Sequence, residues 1–209
     1  MNASLFGILV PLGVLIFSAI LHEIMHGVVA DRLGDPTARI MGRLTLNPIP
    51  HIDPVMSILM PASMFILSGG HFAFGAAKPV PVNPIHFRDP KKDMALVAIA
   101  GPLTNAFIAI VAAEIIKFVP LSDLVSSVLY IIVLYNLMLA IVNLIPIPPL
   151  DGSRVVTALL PNDLARTYAS IERYGIFILL FLFFMPLGGF SLGDLVYNLI
   201  IFSMRLLGI

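Results

Sequence analysis

From Leu5 to Leu21 the chain carries no charged side chain, and apolar runs of similar character recur at Met94 to Val119, Leu124 to Ile145, Tyr174 to Leu187 with its flanks, and Leu192 to Leu207. A bilayer core about 30 Å thick takes roughly 20 apolar helical residues. Charged residues make up only 11% of the chain, against about 25% in a soluble domain. So few charges could not cover a water-facing surface. With 59% hydrophobic residues and a mean hydropathy of +1.01, the sequence predicts an all-α polytopic membrane protein of about five to six transmembrane helices. It forms one integral-membrane domain over residues 1–209, with the lipid bilayer as its surroundings. Twelve basic residues balance twelve acidic ones, which argues against nucleic acid as a partner. The absence of cysteine excludes disulfides and thiolate metal sites.

The first helix, Leu5 to Ala30, is a poor signal peptide. No basic segment precedes it, and its end carries His22, Glu23 and His26 where a cleavage site would need small residues. It is expected to be retained. Val55 to Leu67 is short for a span, and the rest of Asp31 to Asp93 is polar. Within that stretch Ile40, Leu44 and Leu46 alternate with Arg39, Arg43 and Thr45. The alternation predicts a half-buried β-strand over Arg39 to Leu46. Lys78-Pro79-Val80-Pro81-Val82-Asn83-Pro84 cannot be a helix or a central strand, so it is extended. Asp35-Pro36, Asp53-Pro54 and Asp89-Pro90 are expected turn or helix starts.

Three ionisable residues fall within the first apolar helix, in His22-Glu23-Ile24-Met25-His26. Charged groups inside a span are costly and point to function. Residues i and i+4 share a helix face, so both imidazoles can reach one metal ion. Glu23, beside the first imidazole, can take a proton from water activated by that ion. The plainer alternative is a pair of satisfied polar side chains that help helices pack.

A catalytic zinc takes three protein ligands, and without cysteine the third must be His, Asp or Glu. Asp151 is the best candidate. It follows Pro146, Pro148 and Pro149, which stop the fourth long run, and broken backbone at membrane depth is tolerated only where protein encloses it. Alternatively, Asp151 caps a helix beginning at Ser153-Arg154.

Together these segments resemble the site-2 proteases, intramembrane zinc metalloproteases of peptidase family M50. His22-Glu23-Ile24-Met25-His26 is similar to that family's His-Glu-x-x-His helix. Gly101-Pro102-Leu103-Thr104-Asn105 matches its Gly-x-x-x-Asn helix, and Asn143-Leu144-Ile145-Pro146 with Leu150-Asp151-Gly152 its Asn-x-x-Pro and Leu-Asp-Gly segments. The resemblance covers about residues 5–160, the expected catalytic core, followed by C-terminal helices over about 168–207. It implies one zinc ion held by His22, His26 and Asp151, with Glu23 as general base and Asn143 as a polar helper near the scissile carbonyl. It also implies a minimal member without PDZ or CBS-like regulatory domains, acting on membrane proteins that carry a transmembrane helix. The rival reading is a secondary transporter or metal carrier, which also uses midplane His and Asp. No inverted repeat supports it.

Weaker expectations attach to other residues. Gly101 and Asn105 could let helices approach closely and bring an amide to the site, although small-residue packing explains the glycine equally well. His51 and Asp53 read as interfacial capping residues in preference to a reserve metal site or a substrate contact. His71 and His86 read as loop residues, and Glu114 with Lys117 as a snorkelling pair. Lys and Arg concentrate in short cytoplasmic loops. On that rule Asp31 to Asp93 makes no net crossing, Val55 to Leu67 is re-entrant with its return through His71 to Val82, and only Lys117 lies outside. The active site then opens toward the cytoplasm of a multi-pass cell-membrane protein. Strand Arg39 to Leu46 would hold an unwound substrate by β-addition.

Overall fold

The computed structural model describes residues 3–67, 69, 75, 77–186, 188–189 and 191–209, and among them it is helical with no strand. Helix α1 (Ala3–Arg32) leads into the single turn α2 (Thr37–Ile40). A wide turn of π type, Pro54–Leu59, runs into α3 (Met60–Leu67). Then come α4 (Pro90–Phe118), α5 (Asp123–Asn143), α6 (Asp151–Leu159), α7 (Asn162–Ser170), α8 (Glu172–Phe184) and α9 (Leu192–Leu206). The chain is a helical membrane protein. Among the described residues three helices, α1, α4 and α5, are long and apolar enough to cross a bilayer; a fourth span results if α7 and α8, bent by 64°, count as one. The five to six crossings expected from sequence are therefore not reached. Helix α9, at 15 residues, extends only about 22 Å.

Polar pairs set the direction of packing. His26 lies against Val97, His22 against Asn105, and the Ser18 carbonyl also meets Asn105. As α1 is read backward α4 is read forward, so the two run antiparallel. Ala30, Phe87 and Val97 are buried together at one end, with Val82 and Met94 packed on them. Residues 33–89 thus leave and return at the same end, as the charge distribution predicted. Within them Val55 to Leu67 is a short apolar helix rather than a span. The expected return passes through His71, which lies outside the described residues. Helix α5 runs antiparallel to α4, and the small side chains of Ala109, Ala112 and Ala113 on α4 let Val133 and Leu137 of α5 pack closely against them.

The expected strand Arg39 to Leu46 is a correction. Asp35 accepts the Thr37 N–H and starts the turn α2, and Gly42 at φ +65° turns the chain again. Arg43 is buried while Ile40 and Leu46 are exposed, the reverse of the parity read from sequence. The guanidinium turns inward to the carbonyls of Lys78 and Pro79, so substrate addition to this segment loses its basis. Residues 77–83 form neither helix nor strand, as expected from their prolines, and Pro84 opens a short 3-10 turn, Pro84–His86. Asp53 and Asp89 do cap the helices that begin at Pro54 and Pro90.

A second correction concerns Arg205. Leu207 and Ile209 pack on the Ala109–Ala113 cluster, and Gly208 lies beside Lys117. Arg205 therefore shares the Lys117 end of the bundle, not the end where α1 stops.

Candidate metal centre

His22 and His26, one turn apart on α1, face α4 and are both buried. Gly101 makes room for them. A Cβ on it would lie 2.5 Å from His26 Nε2 and 2.6 Å from His22 Nε2, closer than nonbonded atoms approach. The expected close approach at Gly101 is therefore real. Asp151 enters from the first turn of α6. Three prolines end the preceding helix region and aim the carboxylate back toward α1. Leu150 is the N-terminal cap residue of α6, so the capping alternative for Asp151 does not hold. Gly152 lets α6 begin against the Leu144 and Ile145 carbonyls, where a Cβ would collide with backbone.

The hydrogen-bond network assigns each imidazole its tautomer. The Val97 carbonyl can only accept, so His26 Nδ1 donates to it at 2.7 Å. Asn105 donates through Nδ2 to Asn136 Oδ1 at 2.8 Å and to the Ser18 carbonyl at 3.3 Å. Its Oδ1 therefore faces His22 Nδ1, which donates to it at 2.6 Å. In the neutral form each ring is left with a lone pair on Nε2. These two atoms lie 3.0 Å apart. Asp151 Oδ2 is 3.0 Å from the first and 3.2 Å from the second. Three electron-rich atoms this close repel one another unless a cation sits among them, a place that a metal ion would fill. Ligands of a tetrahedral zinc lie about 3.3 Å apart, so the spacing fits that ion closely. Among the described residues, His22, His26 and Asp151 form the group able to hold a metal.

Glu23 is half-buried, and its Oε2 accepts the backbone N–H of Val80 at 2.8 Å. Asn143 sits at the end of α5, where its Nδ2 donates to the Leu139 carbonyl at 2.9 Å. Among the described residues no hydrogen bond joins it to the His–Asp group. His51 donates from Nε2 to the Thr45 carbonyl at 2.9 Å, and Asp53 caps its helix through the Val55 and Met56 N–H groups. Neither joins the metal group. His86 pairs with Asp35 at 2.8 Å, and Lys117 with Glu114 at 2.7 Å. Sequence reasoning missed Asn136 and Ser18. Their only signal was an uncharged polar side chain inside an apolar run.

The model of peptidase family M50 matches residues 115–187. YwhC of Bacillus subtilis is 38% identical over 187 residues, 85% of this chain and 81% of that protein. Rip2 of Mycobacterium tuberculosis is 32% identical over 179 residues, covering 84% of this chain and 67% of its own. The zinc metalloprotease MJ0392 of Methanocaldococcus jannaschii is 29% identical over 161 residues, 77% of this chain and 37% of its length. No solved structure matches the chain. On these similarities the chain belongs to peptidase family M50, the site-2 protease family.

Proposed function

We propose that this chain, a zinc metalloendopeptidase by family, hydrolyses peptide bonds in or beside the transmembrane segments of membrane proteins. The observation that carries the reading is the convergence of His22 Nε2, His26 Nε2 and Asp151 Oδ2 within the apolar helix bundle. These three would hold the ion. When bound, zinc supplies Lewis acidity toward a peptide carbonyl and toward water.

Glu23 takes a proton from the attacking water and passes it to the leaving amine nitrogen. It adjoins His22 without being aimed into the three-atom group, as a base and not a ligand requires. Asn143 carries a second amide N–H besides the one bonded to Leu139, and offers it to the scissile carbonyl oxygen. A helical substrate hides its peptide bonds, so the cut segment must be extended when it reaches Glu23. Water enters from the end where α1 stops. At about 1.5 Å per residue, His26 lies roughly 7 Å and His22 roughly 13 Å inside Asp31. That end is cytoplasmic in our reading, supported by Arg32, Arg39, Arg43, Lys78, Arg88, Lys91 and Lys92 in the chain leaving α1 and entering α4.

Zinc content, together with cleavage of a membrane-spanning reporter in proteoliposomes, tests the proposal. Wild type should bind one zinc and cut the reporter. Glu23→Gln should keep the zinc and lose cleavage. A Glu23→Gln protein that loses its metal, or still cuts, overturns the role given to Glu23. Zinc retained by a His22→Ala, His26→Ala or Asp151→Ala protein at wild-type affinity overturns the ligand set.

A further inference from the structure

Asn136 lies within α5, fully buried, and its hydrogen bonds go neither to the His–Asp group nor to Glu23. A primary amide inside a bilayer is costly unless every donor and acceptor is used. Here each is. Its Nδ2 donates to Ser18 Oγ at 2.9 Å and to the Ile132 carbonyl at 2.9 Å, and its Oδ1 accepts from Asn105 Nδ2 at 2.8 Å. The two donor bonds fix which way the Asn136 amide points. With its nitrogen committed, Asn136 can offer Asn105 only oxygen.

Asn105 is also fully buried and stands between Asn136 and His22. An asparagine side chain can turn over, exchanging oxygen for nitrogen at little steric cost. If Asn105 turned over, an N–H would face His22 Nδ1. The ring would then carry its proton on Nε2, and a protonated nitrogen cannot coordinate. The Ser18 carbonyl opposes this reversal at 3.3 Å, a longer contact than the 2.8 Å bond to Asn136. We infer that Asn136 is a positioning residue for metal binding: by holding the Asn105 amide in one orientation, it keeps His22 in the tautomer whose Nε2 lone pair faces His26 and Asp151. Three transmembrane helices thus set one proton's position. The inference rests on His22 being a ligand, as proposed above.

A double-substitution cycle separates this role from simple packing. In Asn105→Asp both outer atoms are oxygens, so His22 meets an acceptor whichever way the side chain turns, and the orienting function of residue 136 disappears. Zinc affinity is measured on the full chain in detergent by competition with a chromophoric chelator, and the Co2+ visible spectrum reports the ligand set. Loss of an outer hydrogen-bond partner typically weakens metal binding by about 10–100-fold, and Asn136→Leu should fall in that range with an altered Co2+ spectrum. Asn136→Asp, which still presents an oxygen to Asn105 and, protonated, a donor to Ser18, should stay within about threefold of wild type. In the Asn105→Asp background, Asn136→Leu should change affinity by no more than about twofold. Equal losses in both backgrounds, or wild-type affinity and spectrum in Asn136→Leu, overturn the inference. If the leucine variant does not fold, Asn136→Ala takes its place in the cycle. A His22→Ala protein with wild-type zinc affinity would instead overturn the ligand assignment beneath it.

Discussion

Glu23 and Val80, 57 residues apart in sequence, are joined by a 2.8 Å hydrogen bond from the Val80 N–H to the Glu23 carboxylate. The bond exists because the proline-rich segment is pinned just ahead of Val80. Arg43 Nη2 donates to the Lys78 carbonyl at 2.8 Å and to the Pro79 carbonyl at 3.3 Å. The Lys78 N–H donates to the His51 carbonyl at 2.8 Å. Val80 itself packs on α1 at Gly27, where a Cβ would come within 3.0 Å of its Cγ1. Pro79 and Pro81 have no N–H of their own, so Val80 supplies the donor in this stretch.

Removing Arg43 should therefore disturb catalysis without disturbing the metal. Arg43→Ala deletes a buried charged donor shared by two carbonyls, a loss of about 2 kcal/mol. The segment loosens, and Glu23 loses the contact that holds its carboxylate. Cleavage of the reporter should fall by roughly tenfold, while zinc affinity stays unchanged, because the proposed ligands lie on α1 and α6. Full activity in Arg43→Ala would show that the segment does not position Glu23. A loss of zinc would place Arg43 with the ligands.

Gly101→Ala offers a test at the ligands themselves. Alanine favours a helix over glycine by about 1 kcal/mol, so the fold of α4 should survive. The new methyl group would press on two imidazoles whose Nδ1 atoms are already committed to Val97 and Asn105, so neither ring can retreat freely. Zinc affinity should drop by at least about tenfold, as when a ligand's support is lost. Measured by chelator competition, an unchanged affinity would mean that the rings are less constrained than these contacts indicate.

The grouping of His22, His26 and Asp151 was legible in the sequence because its signal is local. His22 and His26 are spaced one helical turn apart, and Asp151 follows a proline cluster that no continuing helix accommodates. Asn105 was legible through its spacing from Gly101. Asn136 was not, since a lone amide in an apolar run has no periodicity, and its partners lie 31 and 118 residues away. The strand expected at Arg39 to Leu46 failed for another reason. Alternation does not sense the turn that Asp35 starts at Thr37 or the one that Gly42 makes, and it also misassigned the inward face, since Arg43 is the buried residue. That Asp31 to Asp93 makes no net crossing was expected from where Lys and Arg fall, and the antiparallel course of α1 and α4 agrees with it. Arg205 was misplaced because the end of α9 is fixed by packing on Ala113 and Lys117, which no charge rule senses.

Acid stability should report the loop that follows α1. Asp35 is fully buried and accepts hydrogen bonds from the Thr37 hydroxyl and N–H, the Asn83 N–H and His86 Nδ1. Burial alone would raise its pKa, but the bonds from Thr37, Asn83 and His86 outweigh it and hold the carboxyl below its ordinary value. The folded pKa thus lies under the unfolded value of about 3.9. The stabilisation is complete above about pH 4 and is lost as pH falls through the lower folded value. Wild type should therefore melt above Asp35→Asn at pH 6, and the gap should narrow steadily below about pH 4. A gap independent of pH would show that the carboxylate's charge is not what stabilises this loop.

The last prediction concerns sidedness, and the chain's lack of cysteine makes it direct. Because α1 and α4 are antiparallel, residues on either side of α3 up to the start of α4 emerge at one end of the bundle. Arg39, on α2, and Arg88, just before α4, are both exposed there. Arg43 is buried and would make a poor reporter. Lys117 closes α4 at the other end, and the C-terminal turn of α9 packs beside it. Single cysteines at Arg39 and Arg88 should thus react with membrane-impermeant maleimide only from the cytoplasmic side, and those at Lys117 and Arg205 only from the opposite side. Split labelling of the first pair would mean that residues 33–89 cross the bilayer after all, contradicting the antiparallel helices. Joint labelling of all four from one side would mean that α4 does not span. Reversal of both pairs would leave the fold intact but would turn the entrance to His22, His26 and Asp151 away from the cytoplasm.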